Sequence, residues 1–190
     1  NELNTYEMIS KENWAPTPLL KANIISDYFN SEIWLKREDC TPVKSFKLRG
    51  ALSVLSDLVD QGSNINKIVA ASAGNYGLAI AEACKRNNIP CVIYVPENAN
   101  ESKVERIKLT GSEVVKLGSD FDDAKLHGKK YAEDAGDIFL EDGDLDGMHV
   151  GAGTIGTEII NSGIDFDYIF VPIGNGSLIS GIGKAFKDSK

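Results

Sequence analysis

Lys44, Lys47 and Arg49 crowd together where a polar run gives way to an apolar helical pattern. Cations are ordinarily favoured at the carboxyl end of a helix, so their place at its start asks for another cause. Taken singly, each lysine fits a solvated loop side chain. A lysine held out of water and near positive partial charge fits a second use, because it sheds its proton more readily, as a Schiff-base amine requires. Two further stretches could hold anions. Gly174-Asn175-Gly176-Ser177-Leu178 follows an apolar run, and its small residues let a phosphate approach the backbone, with the Ser177 hydroxyl as an added donor. It also fits a plain tight turn. It is no Walker loop, because no Gly-Lys-Ser/Thr follows, and Ile179 stands where a dinucleotide fingerprint needs its third small residue. The second stretch, Ser72-Ala73-Gly74-Asn75-Tyr76-Gly77, opens an apolar helix; Ser72 reads as an N-cap, and the Asn75 amide can donate to a phenolate oxygen while the turn's N–H groups hold a carboxylate. Two anion sites suggest a ligand with two anionic ends.

The elements that must position these residues follow from periodicity. Prolines at 16 and 18 make residues 14–21 an extended lead-in, and residues 33–36 fit a short strand. A helix over 48–59 would bury Leu48, Ala51, Leu52, Leu55, Leu58 and Val59. Strand and helix then alternate: strands at 67–71, 91–95, 113–117 and 137–140, helices at 77–86, 101–109 and 122–134. A further helix is expected at 155–160, a final strand at 168–173 and a last helix from Leu178. This alternation predicts an α/β fold with a mainly parallel sheet covered on both faces. The Gly- and Asp-rich stretch 142–153 reads as a crossing between lobes. The division expected is a larger lobe from residues 1–65 and 149–190 and a smaller lobe, 66–148, inserted between them. A parallel sheet ordinarily continues after such a last helix, so the larger lobe reads as incomplete and the chain as cut short.

The 190 residues carry a formal charge of −8, which argues against nucleic-acid and anionic-membrane partners. The sequence contains no run of about 18 apolar residues, and residues 1–4 lack the features of a signal peptide, so a cytoplasmic setting is the default. Cys40, Cys84 and Cys91 show no C-x-x-C spacing and read as packed reduced thiols. Asp142-x-Asp144-x-Asp146-Gly147 copies the opening of an EF-hand loop, but Gly153 stands where its closing glutamate belongs, and no metal site is expected. His127 and His149 have no catalytic motif around them and read as surface or packing residues. Asp122 and Asp123 fit a helix start, where carboxylates stabilise the dipole.

Four motifs in order resemble one family. They are Thr17-Pro18-Leu19; Leu35-Lys36-Arg37-Glu38-Asp39 leading into Ser45-Phe46-Lys47-Leu48-Arg49-Gly50-Ala51; Ala71-Ser72-Ala73-Gly74-Asn75; and the loop Gly174 to Leu178. The chain resembles the fold-type II, or β-family, pyridoxal-phosphate enzymes, and within them the threonine/serine dehydratases and serine racemase. The resemblance implies a two-lobe architecture with the cofactor, pyridoxal 5'-phosphate, in the cleft. It implies that Lys47 links to the cofactor aldehyde and later removes the Cα proton. It assigns the cofactor phosphate to Gly174, Asn175, Gly176, Ser177 and Leu178, the ring oxygen to Asn75, and a packing role beside the ring to Phe46. Ser72, Ala73, Gly74, Asn75 and Tyr76 would receive the substrate carboxylate. The implied reaction turns a hydroxy amino acid such as L-threonine or L-serine into a 2-oxo acid and ammonia, in a homodimer or higher homo-oligomer. Threonine synthases usually carry an acidic residue at the place of Leu48, and serine racemases a serine at the place of Ala73, so both positions favour the dehydratase branch. Asn175 and Ser177 interrupt the usual glycine run, which leaves substrate choice open; a racemase or a β-replacement enzyme on the same scaffold is the nearest alternative. The family continues for on the order of a hundred further residues, including the partner of the pyridine nitrogen, at the scale of a domain. A non-catalytic amino-acid-binding paralogue or an inactive fragment is the contrasting expectation.

Overall fold

The computed structural model describes residues 2–143 and 146–189. The chain opens with α1 (Glu2–Ser10), followed by β1 (Leu19–Lys21), α2 (Asn23–Phe29) and β2 (Trp34–Lys36). β1 and β2 pair antiparallel, Leu20 opposite Leu35. After a 3-10 turn at Glu38–Cys40 comes α3 (Lys47–Asp60), and then β3 (Ile68–Ala71), α4 (Asn75–Arg86), β4 (Cys91–Val95), α5 (Glu101–Lys108), β5 (Glu113–Lys116), α6 (Phe121–Ala135) and β6 (Ile138–Leu140). α7 (Asp146–Asn161) and α8 (Ser177–Asp188) follow. Among the described residues, no helix is long and apolar enough to cross a membrane.

β3 to β6 form one parallel sheet in the order β5-β4-β3-β6. Every residue of β3 and β4 is buried, as the continuous apolar runs Ile68-Val69-Ala70-Ala71 and Cys91-Val92-Ile93-Tyr94-Val95 require of central strands covered on both faces. Alternate side chains go to opposite faces. Ile68, Ala70, Ile93 and Val95 join Leu48, Leu55, Ala79, Ile80 and Val104 in the main core, beneath α3, α4 and α5. Val69, Ala71, Val92 and Tyr94 turn the other way and pack on Ala132 of α6. The covering helices are capped by their own sequence: the Asn100 side chain accepts N–H bonds from Ser102 and Lys103 at 3.0 and 3.3 Å, and Asp120 accepts from Asp123 at 2.9 Å.

α3 and α7 cross at backbone contact. A Cβ on Gly151 would lie 2.3 Å from the Arg49 carbonyl oxygen, and one on Gly147 would lie 2.7 Å from a Val54 methyl. The neighbour at Gly151 is helical backbone and cannot step aside. Gly151→Ala is therefore expected to lower unfolding free energy by about 2 kcal/mol, the usual scale of overpacking, read as a lower urea midpoint with an unchanged slope.

Several expectations change. Residues 142–153 are mostly no loop, because α7 starts at Asp146 and takes in the helix expected at 155–160; its glycines serve close packing, not turning. Residues 168–173 form no strand, for among the described residues no other strand runs alongside to pair with them. Tyr168, Phe170 and Ile173 stay 81, 93 and 71% exposed. Val59 lies on the solvent side of α3, whereas Val54 is buried. Cys84 and Cys91 are buried, with the Cys84 thiol pushed up by its hydrogen bond to Cys91 and by burial, but Cys40 is exposed.

Candidate functional site

Lys47 is the first residue of α3. The loop before it is pinned by Thr41, whose hydroxyl donates to the Ser45 carbonyl at 2.8 Å and accepts the Ser45 N–H at 3.0 Å. The Lys47 side chain is only 13% exposed, and its Nζ donates to both oxygens of Asp142, at 2.7 and 2.9 Å. Asn175 Nδ2 donates to the same Oδ1 at 2.9 Å. The other end of that amide, Asn175 Oδ1, accepts from the Ser177 N–H at 3.2 Å and the Ser177 hydroxyl at 3.0 Å. A continuous line of hydrogen bonds thus joins the amine at residue 47 to the turn at the start of α8.

The walls of this site are aromatic. Lys47 Nζ lies 5.6 Å from the centre of the Phe46 ring and 5.8 Å from that of Tyr76, within cation–π range. Phe46 and Leu178 pack on one apolar cluster, Ile155, Ile159 and Ile182, which ties the start of α3 to the start of α8. The Tyr76 Oη is buried and has no hydrogen-bond partner among the described residues. Burial, and after it the charge of Asp142, push that phenol well above its ordinary value, so it is a neutral donor seeking an acceptor.

Arg49 does not join Lys44 and Lys47. It turns inward and is fully buried, donating to Glu38 at 2.9 Å through Nε and again at 2.9 Å through Nη2. It also meets Glu158 at 2.7 and 2.9 Å and the Thr154 and Thr17 hydroxyls at 3.0 and 3.1 Å. Lys36 adds a second cation 2.6 Å from Glu158. Burial pushes the Glu158 carboxyl up, but Arg49 and then Lys36 outweigh it and hold it below the usual carboxylate range. This knot joins the β1–β2 ribbon to α3 and α7 two residues from Lys47.

The second turn opens elsewhere. Ser72 is not the N-cap of α4; Gly74 is, and the Ser72 hydroxyl accepts the Gly74 N–H at 3.1 Å. Ala73, Gly74 and Asn75 line a recess of about 210 Å³ with Leu78, Lys103 and Arg106, while Tyr76, one residue on, faces Lys47. A larger recess of about 700 Å³ runs between α7 and α8, with His149, Thr157 and Lys184 on its walls. Gly174 and Gly176 are open: a Cβ at either would meet nothing within 4 Å, and Gly176 holds φ +90° as the cap of α8. His127 is paired loosely with Asp123 at 3.5 Å.

Sequence reading missed Asp142 as a site residue, noticing it only in the EF-hand-like run. Asp144 of that run lies outside the described residues. The signal available was its place just beyond the carboxyl end of β6, the edge of the sheet where ligands gather.

A family model described as "Pyridoxal-phosphate dependent enzyme" matches residues 11–190. The biosynthetic L-threonine dehydratase of Halalkalibacterium halodurans is 38% identical over 175 residues, which are 90% of this chain and 42% of that protein. Among solved structures, the processed form of threonine deaminase isoform 2 from Solanum lycopersicum superposes with a TM-score of 0.87 at 32% identity, over 98% of this chain and 52% of that one. A pyridoxal 5'-phosphate-dependent aspartate racemase superposes with a TM-score of 0.91 at 28% identity, over 100% of this chain and 58% of that one. The chain therefore spans about two fifths to three fifths of the length of these relatives.

Proposed function

Because this chain belongs to the family of pyridoxal-phosphate-dependent enzymes, we propose that it carries the cofactor-binding part of a hydroxy-amino-acid dehydratase in which Lys47 holds the cofactor aldehyde. The observation that supports this best is the shared carboxylate: Asp142 Oδ1 accepts from Lys47 and from Asn175 at 2.7 and 2.9 Å. One anion thus bridges the amine and the phosphate turn, at a spacing a small two-ended ligand could take over. The residues present fit pyridoxal phosphate. The turn of Gly174 and Gly176 is open to a phosphate, the Ser177 N–H and hydroxyl lie at its base, and the unpartnered Tyr76 Oη offers a donor near the amine.

When bound, the cofactor supplies an electron sink for the bonds at the amino-acid Cα. The chain's part is to orient and to move a proton. Phe46 and Tyr76 would wall the site against water; Asn75, which lines the recess beside Lys103 and Arg106, would donate to the ring oxygen, and the turn from Ser72 to Tyr76 would hold the substrate carboxylate with its N–H groups. Lys47 Nζ would take the Cα proton, the β-hydroxyl would leave as water, and a second water would hydrolyse the resulting enamine to the 2-oxo acid and ammonia. Ala73 offers no hydroxyl for a second acid/base on the opposite face, which favours dehydration over racemisation. The same reading divides the fold into residues 1–65 with 149–190 and an inserted 66–148, the latter containing the whole parallel sheet from Ile68 to Leu140.

The test is to incubate the chain with pyridoxal phosphate, reduce with borohydride and map the adduct. A single adduct on Lys47 is expected; label scattered over exposed lysines such as Lys130 would defeat the reading. The encoded full-length protein, given L-threonine or L-serine, should release ammonia and a 2-oxo acid. An inverted amino acid in their place would make it a racemase.

A further inference from the structure

We propose that Asp142 is a positioning residue: an internal anion that holds Lys47 and the Gly174–Leu178 turn at ligand spacing and yields its place when a phosphate-bearing ligand enters. This rests on the assignment of that lysine and that turn to the cofactor. The argument begins with the donors. Lys47 Nζ gives Asp142 two hydrogen bonds, at 2.7 and 2.9 Å, and Asn175 Nδ2 gives a third at 2.9 Å. These groups are assigned to opposite ends of a single ligand, yet one protein carboxylate engages both.

The carboxylate is built to leave. Its side chain is 34% exposed, against 13% for the lysine it meets, so water can receive it. It hangs from a turn just beyond β6, so its withdrawal breaks no sheet or helix bond. The next residue, Gly143, holds φ +97°, and a Cβ there would sit 3.7 Å from Asn175 Nδ2, so this turn lies directly against the amide. Two anions cannot share these donors at close range, because repulsion between them is strong where water is scarce. Bound phosphate and the present pose of Asp142 are therefore alternatives. The line from Lys47 through Asp142 and Asn175 to Ser177 keeps the donors arranged until that exchange.

The probe is inorganic phosphate, titrated calorimetrically against the wild-type chain, Asp142→Asn and Asp142→Ala, with Asp142→Glu as the variant that retains the charge. Asn and Ala variants should bind phosphate about three- to tenfold more tightly, the scale of one part-exposed charge contact removed, while Asp142→Glu stays near wild type. They should also be labelled at Lys47 at correspondingly lower pyridoxal phosphate concentrations after borohydride reduction. A damaged fold loses affinity, so a gain cannot arise from structural harm. Unchanged or weaker phosphate binding in the Asn and Ala variants, or none in any chain, overturns the proposal. If wild type takes no adduct at Lys47, the underlying assignment has failed; if it takes one there without the gain in the variants, only the role of Asp142 has.

Discussion

Lys47→Ala is expected to eliminate the site-specific adduct with pyridoxal phosphate and, in the full-length protein, to lower kcat about 10²–10⁴-fold, the usual range for a positioned acid–base group. The effect should be chemical, not structural. Lys47 is at the first turn of α3 with its amine in the site, whereas the core face of that helix is made by Leu48, Ala51, Leu52 and Leu55. Thermal stability should therefore stay close to wild type. Lys47→Arg refines the result. It keeps a cation beside Asp142, but a guanidinium remains protonated and cannot link to an aldehyde. The arginine variant should be as empty of adduct as the alanine one; adduct formation or turnover in either would move the amine's role to another residue.

The second large effect is on stability. Arg49→Met should destabilise the fold by about 3–5 kcal/mol, because it removes the central partner of a buried ionic knot, leaving Glu38 without its guanidinium and Glu158 with Lys36 alone. For a chain of this size that is a loss of roughly 10 °C in Tm, measurable by circular dichroism. Its pH dependence has a definite sign. Glu158 is held below the ordinary carboxylate value of about 4.3, so its contribution is fully present above that value and is lost as pH falls through its lower value in the folded protein. In the variant the opposing arginine is gone, and burial favours the protonated acid. The gap between wild type and Arg49→Met should thus be widest near neutrality and narrow in acid. A gap that widened in acid would show that the knot's carboxylates are not what the arginine supports.

The centre of the sheet was legible because strands buried on both faces need unbroken apolar runs, and β3 and β4 begin and end within one residue of the runs that named them; β5, an edge strand with exposed ends, also falls within one residue of its expected span. α7 was not, because local pattern cannot tell a glycine that turns a chain from one that lets two helices touch; Gly147 and Gly151 are the latter. Residues 168–173 carry a good strand pattern, but a strand needs a partner, and partnership is a property of the fold. Lys47 and the Gly174 turn stood out by their side-chain chemistry, and the structure links them through Asp142 and Asn175. Arg49 was grouped with Lys44 and Lys47 at the helix start because its two acidic partners, Glu38 and Glu158, are 11 and 109 residues away. Asp142 escaped for the same reason: its meaning comes from Lys47, 95 residues earlier.

The bare stretch around Phe170 bears on how this polypeptide behaves in a tube. An exposed apolar segment that no described strand pairs with is a template for adhesion between copies. What opposes it is the formal charge of −8, which keeps copies apart only while ionic strength is low. Added electrolyte is therefore expected to promote contact between copies through this segment, read as light scattering that rises with salt concentration.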